Sequence, residues 1–587
     1  MRRLPGLIAV IVLSVSCTLQ KTDVLIIGGG ASGSCTAIQA GRMGVDVLLV
    51  EEGSWLGGML SSAGVCAIDG NYRLRSGIFG EFTDSLASIY GGYQALNSGW
   101  VSNILFEPHV ADEVLKGMVA ALPSVEVVYG VSCVDISKGR RWRVILSDGR
   151  VVRAKLLVDG TELGDVAAMC GAGYDLGMDS RENSGERNAL VESNDIVQDL
   201  TYVAILKDYG RDVTIDEPAD YRPELYYNSA LGPNNNGVVV DGGMAKTEDS
   251  GQVLWSVEKM LEYGRLLVRD GAKYMLNWPI SGNDCYVNMV EMTPEQRSAA
   301  VDSAKNVTLG FIYYMQTEYG LGHIGIADDE FPTEDGLPLI PYHRESRRIH
   351  GEVRFTMDDA AEPFARDLYR TGIAVGDYPV DHHHHRCPQW NDSYELWFYP
   401  VPSYSLPLGV MLPSDVDELI VTEKSMSVSN LVNGTTRLQP VVMQAGQAAG
   451  ALAALAILRH DGKLREVGVR EVQEVLLESG GYIMPYLDLP PEHPHFKALQ
   501  RIGATGIMRG EGRSLGWSNV TYFRTNDPLL PEDVFIEDYY PGMGWEELGL
   551  PAYDSENPMT REDFAVAIDS LLHPFESFPV DYQGHIK

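Results

Sequence analysis

Two stretches of this chain carry residues whose types and spacing suit chemistry. The first, VLIIGGGASGSC at residues 24–35, places Gly28, Gly30 and Gly33 in a GxGxxG pattern. In such a turn Gly28 permits the tight reversal and Gly30 lets backbone amides approach a diphosphate. Ala31 and Ser32 open the following helix, and Gly33 lets that helix pack closely on the strand before it. Glu51, at the end of the next apolar run, is placed to accept hydrogen bonds from ribose hydroxyls. The second stretch is DHHHHRCP at residues 381–388, four consecutive histidines inside the chain. Imidazole titrates near neutrality (~6.5), so it suits proton exchange with a reacting alcohol or amine. Side chains along an extended segment alternate between faces, so four consecutive histidines do not converge on one metal ion, and no metal site is expected. A covalent cofactor tether through a histidine or Cys387 stays open as a second use of the run.

The elements that must position these residues are legible from pattern. Residues 24–27 form a short apolar run that reads as a buried parallel strand, residues 31–43 as a helix and residues 45–50 as a second strand. A second glycine turn, Gly57-Gly58-Met59, follows Glu51 at once, where a nicotinamide-binding domain would begin another α/β unit. Residues 125–129, 133–136, 142–146 and 150–153 read as strands with a hairpin turn at Asp148-Gly149. They lead into an apolar strand that ends at Asp159-Gly160-Thr161. A glycine pair just past the ribose acid, then a β-meander returning to the nucleotide domain, resembles the flavoproteins of the glutathione-reductase type and implies FAD. In that resemblance Gly57, Gly58 and Met59 pass the flavin, and Asp159, Gly160 and Thr161 make the second cofactor contact. Further on, residues 419–421 read as a buried strand and Asn433-Gly434 as a turn. Residues 437–458 form an alanine-rich helix with Pro440 in its first turn. The small residues Gly446 and Ala448 fit close packing as well as close approach to a flavin.

Four blocks carry a closer resemblance. VDGTELGDVAAMCGAGYDLG (158–177) is similar to the DATELGD segment of a large group of bacterial FAD-dependent oxidoreductases, some of them labelled xanthan lyases. PYHRESRRI (341–349), IAVGDYPVDHHH (373–384) and residues 405–450 look like its remaining blocks. The sequence departs at Gly160, where the group has alanine, and at Thr422-Glu423-Lys424, where small residues precede the lysine. The resemblance implies that Asn433, Arg437, Gly446 and Ala448 contact FAD and that Arg344 binds substrate, flavin or a carboxylate, with Glu345 neutralising a partner. Its Asp-x-His pattern maps onto Asp381 and His383. Asp381 then orients His383, which serves as base or substrate ligand, while His382 and His384 point away. Four charges at residues 344–348 fit a solvated face equally well, and Lys424 a surface lysine.

Apolar content of 45% and charged content of 22% belong to a folded globular chain. A formal charge of −35 without a Lys/Arg cluster excludes nucleic acid as a partner. Arg2 and Arg3 precede a short apolar run at residues 7–15, the pattern of an export leader, with Cys17 placed for lipidation or Ser16 for plain cleavage. No other stretch reads as a membrane span. The remaining six cysteines form no CxxC pair and read as buried small hydrophobes. HPHFKALQRIGATGIMRGEG (493–512) and MTREDFAVAIDSLL (559–572) resemble one S-layer-homology-like repeat.

The expected architecture is α/β: a Rossmann-type, glutathione-reductase-like FAD-binding domain with an inserted α+β substrate domain and a small, mostly helical C-terminal module. Its boundaries are leader 1–17, FAD-binding domain 18–165 and 411–460, insert 166–410 and C-terminal module 461–587. The expected protein is an exported, cell-envelope FAD oxidoreductase that exchanges a hydride between a polar small molecule (a sugar or sugar acid) and the flavin. A reductase of activated C=C bonds and a non-catalytic FAD-containing surface binder are the alternatives, and the electron acceptor is not specified.

Overall fold

The computed structural model describes residues 19–232, 237–239, 244–247, 253–268, 271–390 and 399–587. The leader and Cys17 lie outside them. Strand β1 (Leu19–Ile27) runs into helix α1 (Ala31–Arg42), and β2 (Val47–Glu51) returns parallel beside β1. β3 (Val125–Tyr129) extends the parallel sheet outward from β2. The hairpin of β4 (Cys133–Lys138) and β5 (Trp142–Leu146) then feeds β6 (Val151–Asp159), which pairs parallel with the other edge of β1. The two strand segments expected at 150–153 and before Asp159 are one continuous strand. Its length serves two partners: β5 pairs with its first half, leaving the second half for another strand. Register aligns Ile27 with both Val50 and Asp159, so Gly28, Glu51 and Gly160 meet at one end of the sheet.

A second core lies in the insert. There β7 (Ala204–Asp208), β8 (Arg265–Val268) and β9 (Gly271–Leu276) pair antiparallel with β10 (Ile324–Ile326) in the order β8-β9-β7-β10. Helix α2 (Pro294–Glu318) belongs to the same unit, started by a capping box between Thr293 and Gln296. Tyr202, Trp278, Phe311 and Tyr314 are buried in this core. The insert does not extend to residue 410 as a separate body. The pair β11 (Gly372–Gly376) and β12 (Tyr404–Pro407) belongs to the main core, with Phe355, Val375 and Leu406 in the same apolar cluster as Val24.

The chain returns to the sheet through β13 (Leu419–Val421), which takes the free half of β6, with Val421 beside Asp159. Helix α3 (Asn430–Thr436) follows, capped by the Ser429 hydroxyl, so Asn433-Gly434 is helical rather than a turn. Helix α4 (Gln439–Arg459) starts with Pro440 in its first turn. It is long and apolar enough to cross a membrane, which the sequence reading did not recognise, but it is the buried centre of the main core. The C-terminal helices α5 (Val469–Glu478), α6 (Phe496–Thr505) and α7 (Arg561–Leu572) place Leu477, Ile502 and Phe564 in that same cluster, so residues 461–587 have no core of their own.

Candidate functional site

At the end of the sheet, three glycines make contacts no other residue allows. Gly28 has φ +95°, and a Cβ there would fall against the Gly160 carbonyl, while Gly160 donates its amide to Ile27 at 2.8 Å. A Cβ at Gly33 would run into the Gly28 carbonyl, so α1 is seated directly on the turn. The second glycine turn closes over the first: Gly57, φ +105°, donates to the Gly29 carbonyl at 2.8 Å, and a Cβ on Gly58 would lie 2.9 Å from the Gly30 Cα. Ala31 and Met59 are fully buried in the main core, so their side chains are packing groups. Glu51 accepts from the Gly29 and Gly53 amides at 2.6 and 2.7 Å, and burial raises its carboxyl to about 7. Asp159 accepts from the amide and hydroxyl of Thr161, at 2.9 and 2.6 Å, and so pins the third segment of the cradle.

The C-terminal assignments divide. Gly446 sits in a helix–helix contact, because a Cβ there would collide with the Ser32 backbone and Thr36 donates its hydroxyl to the Gly446 carbonyl at 3.0 Å, and Ala448 is fully buried. Asn433 donates to the Arg344 carbonyl at 3.0 Å, and Arg437 faces the cavity described next.

A cavity of about 590 Å³ opens between the main core and the insert. The loop that begins at Gly57 reaches it, since Val65, Ile68 and Asp69 line its wall. Gln439, at the first residue of α4, holds that loop by donating to the Ala67 carbonyl and accepting from the Asp69 amide. The same wall therefore joins the dinucleotide turn to the cavity. Across its floor lies a row of alternating charges. Arg344 meets Asp284 at 3.3 Å, Asp284 meets His383 Nδ1 at 3.0 Å, His383 Nε2 meets Asp381 at 3.2 Å, and Asp381 meets Arg437 at 3.2 Å. Arg437 also donates to the Tyr342 hydroxyl at 2.6 Å.

Burial alone would raise the carboxyls of Asp284 and Asp381. Arg344 and His383 reverse this for Asp284, and His383 with Arg437 reverses it for Asp381, so both are held below the ordinary carboxylate range. For His383, burial and Arg344 act downward, but Asp381 and the bonds to both carboxylates prevail and its pKa is raised. Asp381 meets His383 directly, and Arg344 is linked to His383 through Asp284. Both ring nitrogens of His383 lie within hydrogen-bond distance of a carboxylate, Nδ1 of Asp284 and Nε2 of Asp381.

The alternation of the histidine run is realised: His382 accepts or donates at the Leu431 carbonyl (2.9 Å), and His384 stacks on Trp390 at 4.3 Å, both away from the cavity. Residues 344–348 are not a solvated face. All are buried, with Arg348 on Glu345 at 2.6 Å and Arg347 on the Leu163 carbonyl at 2.7 Å. Lys424 is likewise fully buried, paired with Glu162 at 2.6 Å.

Asn277 and Asp69 in the cavity, and Asp284 behind its floor, were not among the site residues expected from the sequence. Asn277 and Asp381 each present a buried oxygen with no hydrogen-bond partner, Oδ1 in both cases. Asp69, a single acid in an apolar stretch, is raised to about 7 by burial and then by the charge of Asp381. Trp100, Tyr263 and Trp278 form an edge-to-face aromatic wall, with centroids 4.9 and 5.1 Å apart.

A parallel sheet with a glycine-rich strand–helix turn, an acid ending the second strand and an adjoining polar cavity defines a dinucleotide-dependent α/β enzyme. Residues 23–476 match the family described as FAD dependent oxidoreductase, and the chain belongs to that family. It is an FAD-dependent oxidoreductase. Gly28, Gly30 and Gly33 let the strand–helix turn close on itself, since a Cβ at each would collide with Gly160, Glu423 or Gly28, and a glycine turn of this kind opening a helix suits the diphosphate of FAD. No curated protein matches the chain. Among solved structures it is similar to p-nitrophenol 4-monooxygenase PnpA from Pseudomonas putida DLL-E4, at 11% identity over 78% of this chain and 84% of that one, TM-score 0.31. It is also similar to CabE, an aromatic hydroxylase from angucycline biosynthesis, at 12% identity over 78% and 65% of the two chains, TM-score 0.34. The assignment rests on the family match.

Proposed function

We propose that this enzyme oxidises a hydroxyl-bearing polar small molecule, a sugar or sugar acid, in the cavity between its two cores. FAD, when bound, exchanges the hydride at its N5 atom. The observation that carries the reading is the pair of unpartnered buried acceptors, Asp381 Oδ1 and Asn277 Oδ1, on a cavity that has a charged floor and an aromatic wall. Buried acceptors call for donors, and several hydroxyls on one molecule supply them, while ring faces cover its C–H surface. Asp69, poised at about 7, takes the hydroxyl proton as the carbon is oxidised. His383 is the fixed cation that holds Asp381 and Asp284 ionised and in place. Arg344 pairs with Asp284 and Arg437 with Asp381, so the row is a positioning device that fixes both carboxylates.

The chain's leader supports an exported enzyme anchored through lipidated Cys17, with an external electron acceptor still to be identified. Anaerobic mixing of the yellow holoenzyme with monosaccharides, uronates, amines and enoates tests the reading. Bleaching of the flavin band by a monosaccharide or uronate is the expected result. Bleaching by dithionite alone, with reoxidation by an enoate, would overturn it.

A further inference from the structure

Glu423 lies between β13 and α3 with φ +55°, a left-handed conformation that glycine adopts freely and glutamate rarely. Its side chain is fully buried. Oε1 accepts from the Ser32 amide at 2.8 Å and from the Ser32 hydroxyl at 3.0 Å, at the first turn of α1. A Cβ on Gly30 would lie 2.6 Å from that same oxygen, so the carboxylate is pressed against the glycine turn. Oε2 has no hydrogen-bond donor. The nearest cation, Lys424 Nζ, stands 3.6 Å away and is shared with Glu162 at 2.6 Å.

Free amides of a glycine turn and a helix N-terminus make an anion site, and in a dinucleotide fold the anion is the diphosphate. Here the chain's own carboxylate already sits on one of those amides, that of Ser32. A second anion there faces like-charge repulsion in a buried, poorly screened place. We propose that Glu423 is a resident anion at the diphosphate position, and that FAD binds as this carboxylate takes up a proton. FAD affinity then falls as pH rises. The groups facing Glu423 are Lys424 on its own loop, Glu162 beyond β6, and Ser32 and Cys35 from α1. Burial is the largest influence and outweighs Lys424, so the carboxyl is displaced upward.

The test is FAD titration of the deflavinated full chain, followed by flavin fluorescence quenching, for the wild type, Glu423→Gln and Glu423→Gly. Glutamine keeps the size of the side chain, and glycine suits the backbone. The wild type should bind FAD about ten-fold or more weakly at about pH 8 than at about pH 6, the change one pH unit of linkage produces. Both variants should bind at about pH 8 some ten-fold more tightly than the wild type and lose the pH dependence. Equal wild-type affinity at both pH values, variants no tighter than wild type, or no FAD binding by any of the three would each overturn the proposal.

Discussion

His383 and Asp69 divide between them the tasks first expected of one histidine. His383 is held between two carboxylates that raise its pKa, and burial raises Asp69 in the same cavity to about 7. His383→Ala is expected to retain FAD but lose substrate-driven flavin reduction, because Asp284 and Asp381 then repel without a shared cation. His382→Ala should instead cost about 1–3 kcal/mol of stability, as a buried group with a bonded nitrogen is removed. Anaerobic bleaching and denaturant midpoints of the two variants check this, and equal loss of turnover in both would contradict the alternation of faces. That alternation was legible because it needs only strand geometry. Asp284 and Asp69 were not, because they arrive from segments 99 and 312 positions from His383 and Asp381 (383 − 284 and 381 − 69), and nothing local in the sequence announces the meeting.

At the scale of elements, the strand–glycine–helix unit and the meander were readable because each has its own period and turn chemistry. The small residues of α4 were ambiguous for a physical reason. Gly446 and Gly450 permit close approach of anything, and in this fold the partner is α1, with the Ser32 and Thr36 backbones in their path. Gly446→Val is expected to destabilise the protein by about 1–3 kcal/mol through overpacking against backbone that cannot yield. The apoprotein's chemical unfolding midpoint reads the effect, and an unchanged midpoint would show that α1 and α4 have room to part. The split between α3 and α4 was missed because Ser429 caps a new helix start within what reads as one loop.

At the scale of the molecule, two cores flank one cavity, and the C-terminal 127 residues (587 − 460) reinforce the larger core instead of forming an appendage. The resemblance of 493–512 and 559–572 to a repeat gave the helices but not their burial, since apolar spacing marks a buried face without saying against what. The insert brings Asn277, Tyr263 and Trp278 into one cavity with Asp69 and Asp381, and the proposed catalysis depends on this juxtaposition. The most direct measurement is the anaerobic rate of flavin reduction by the bleaching substrate, across pH, for wild type and Asp69→Asn. Asp69 must be ionised to accept a proton, so the wild-type rate should rise through about 7 and level above it. In Asp69→Asn it should fall by about 10²–10⁴-fold and lose that dependence. A variant that reduces its flavin at the wild-type rate with an unchanged pH profile would contradict the assignment of the cavity's chemistry to this residue.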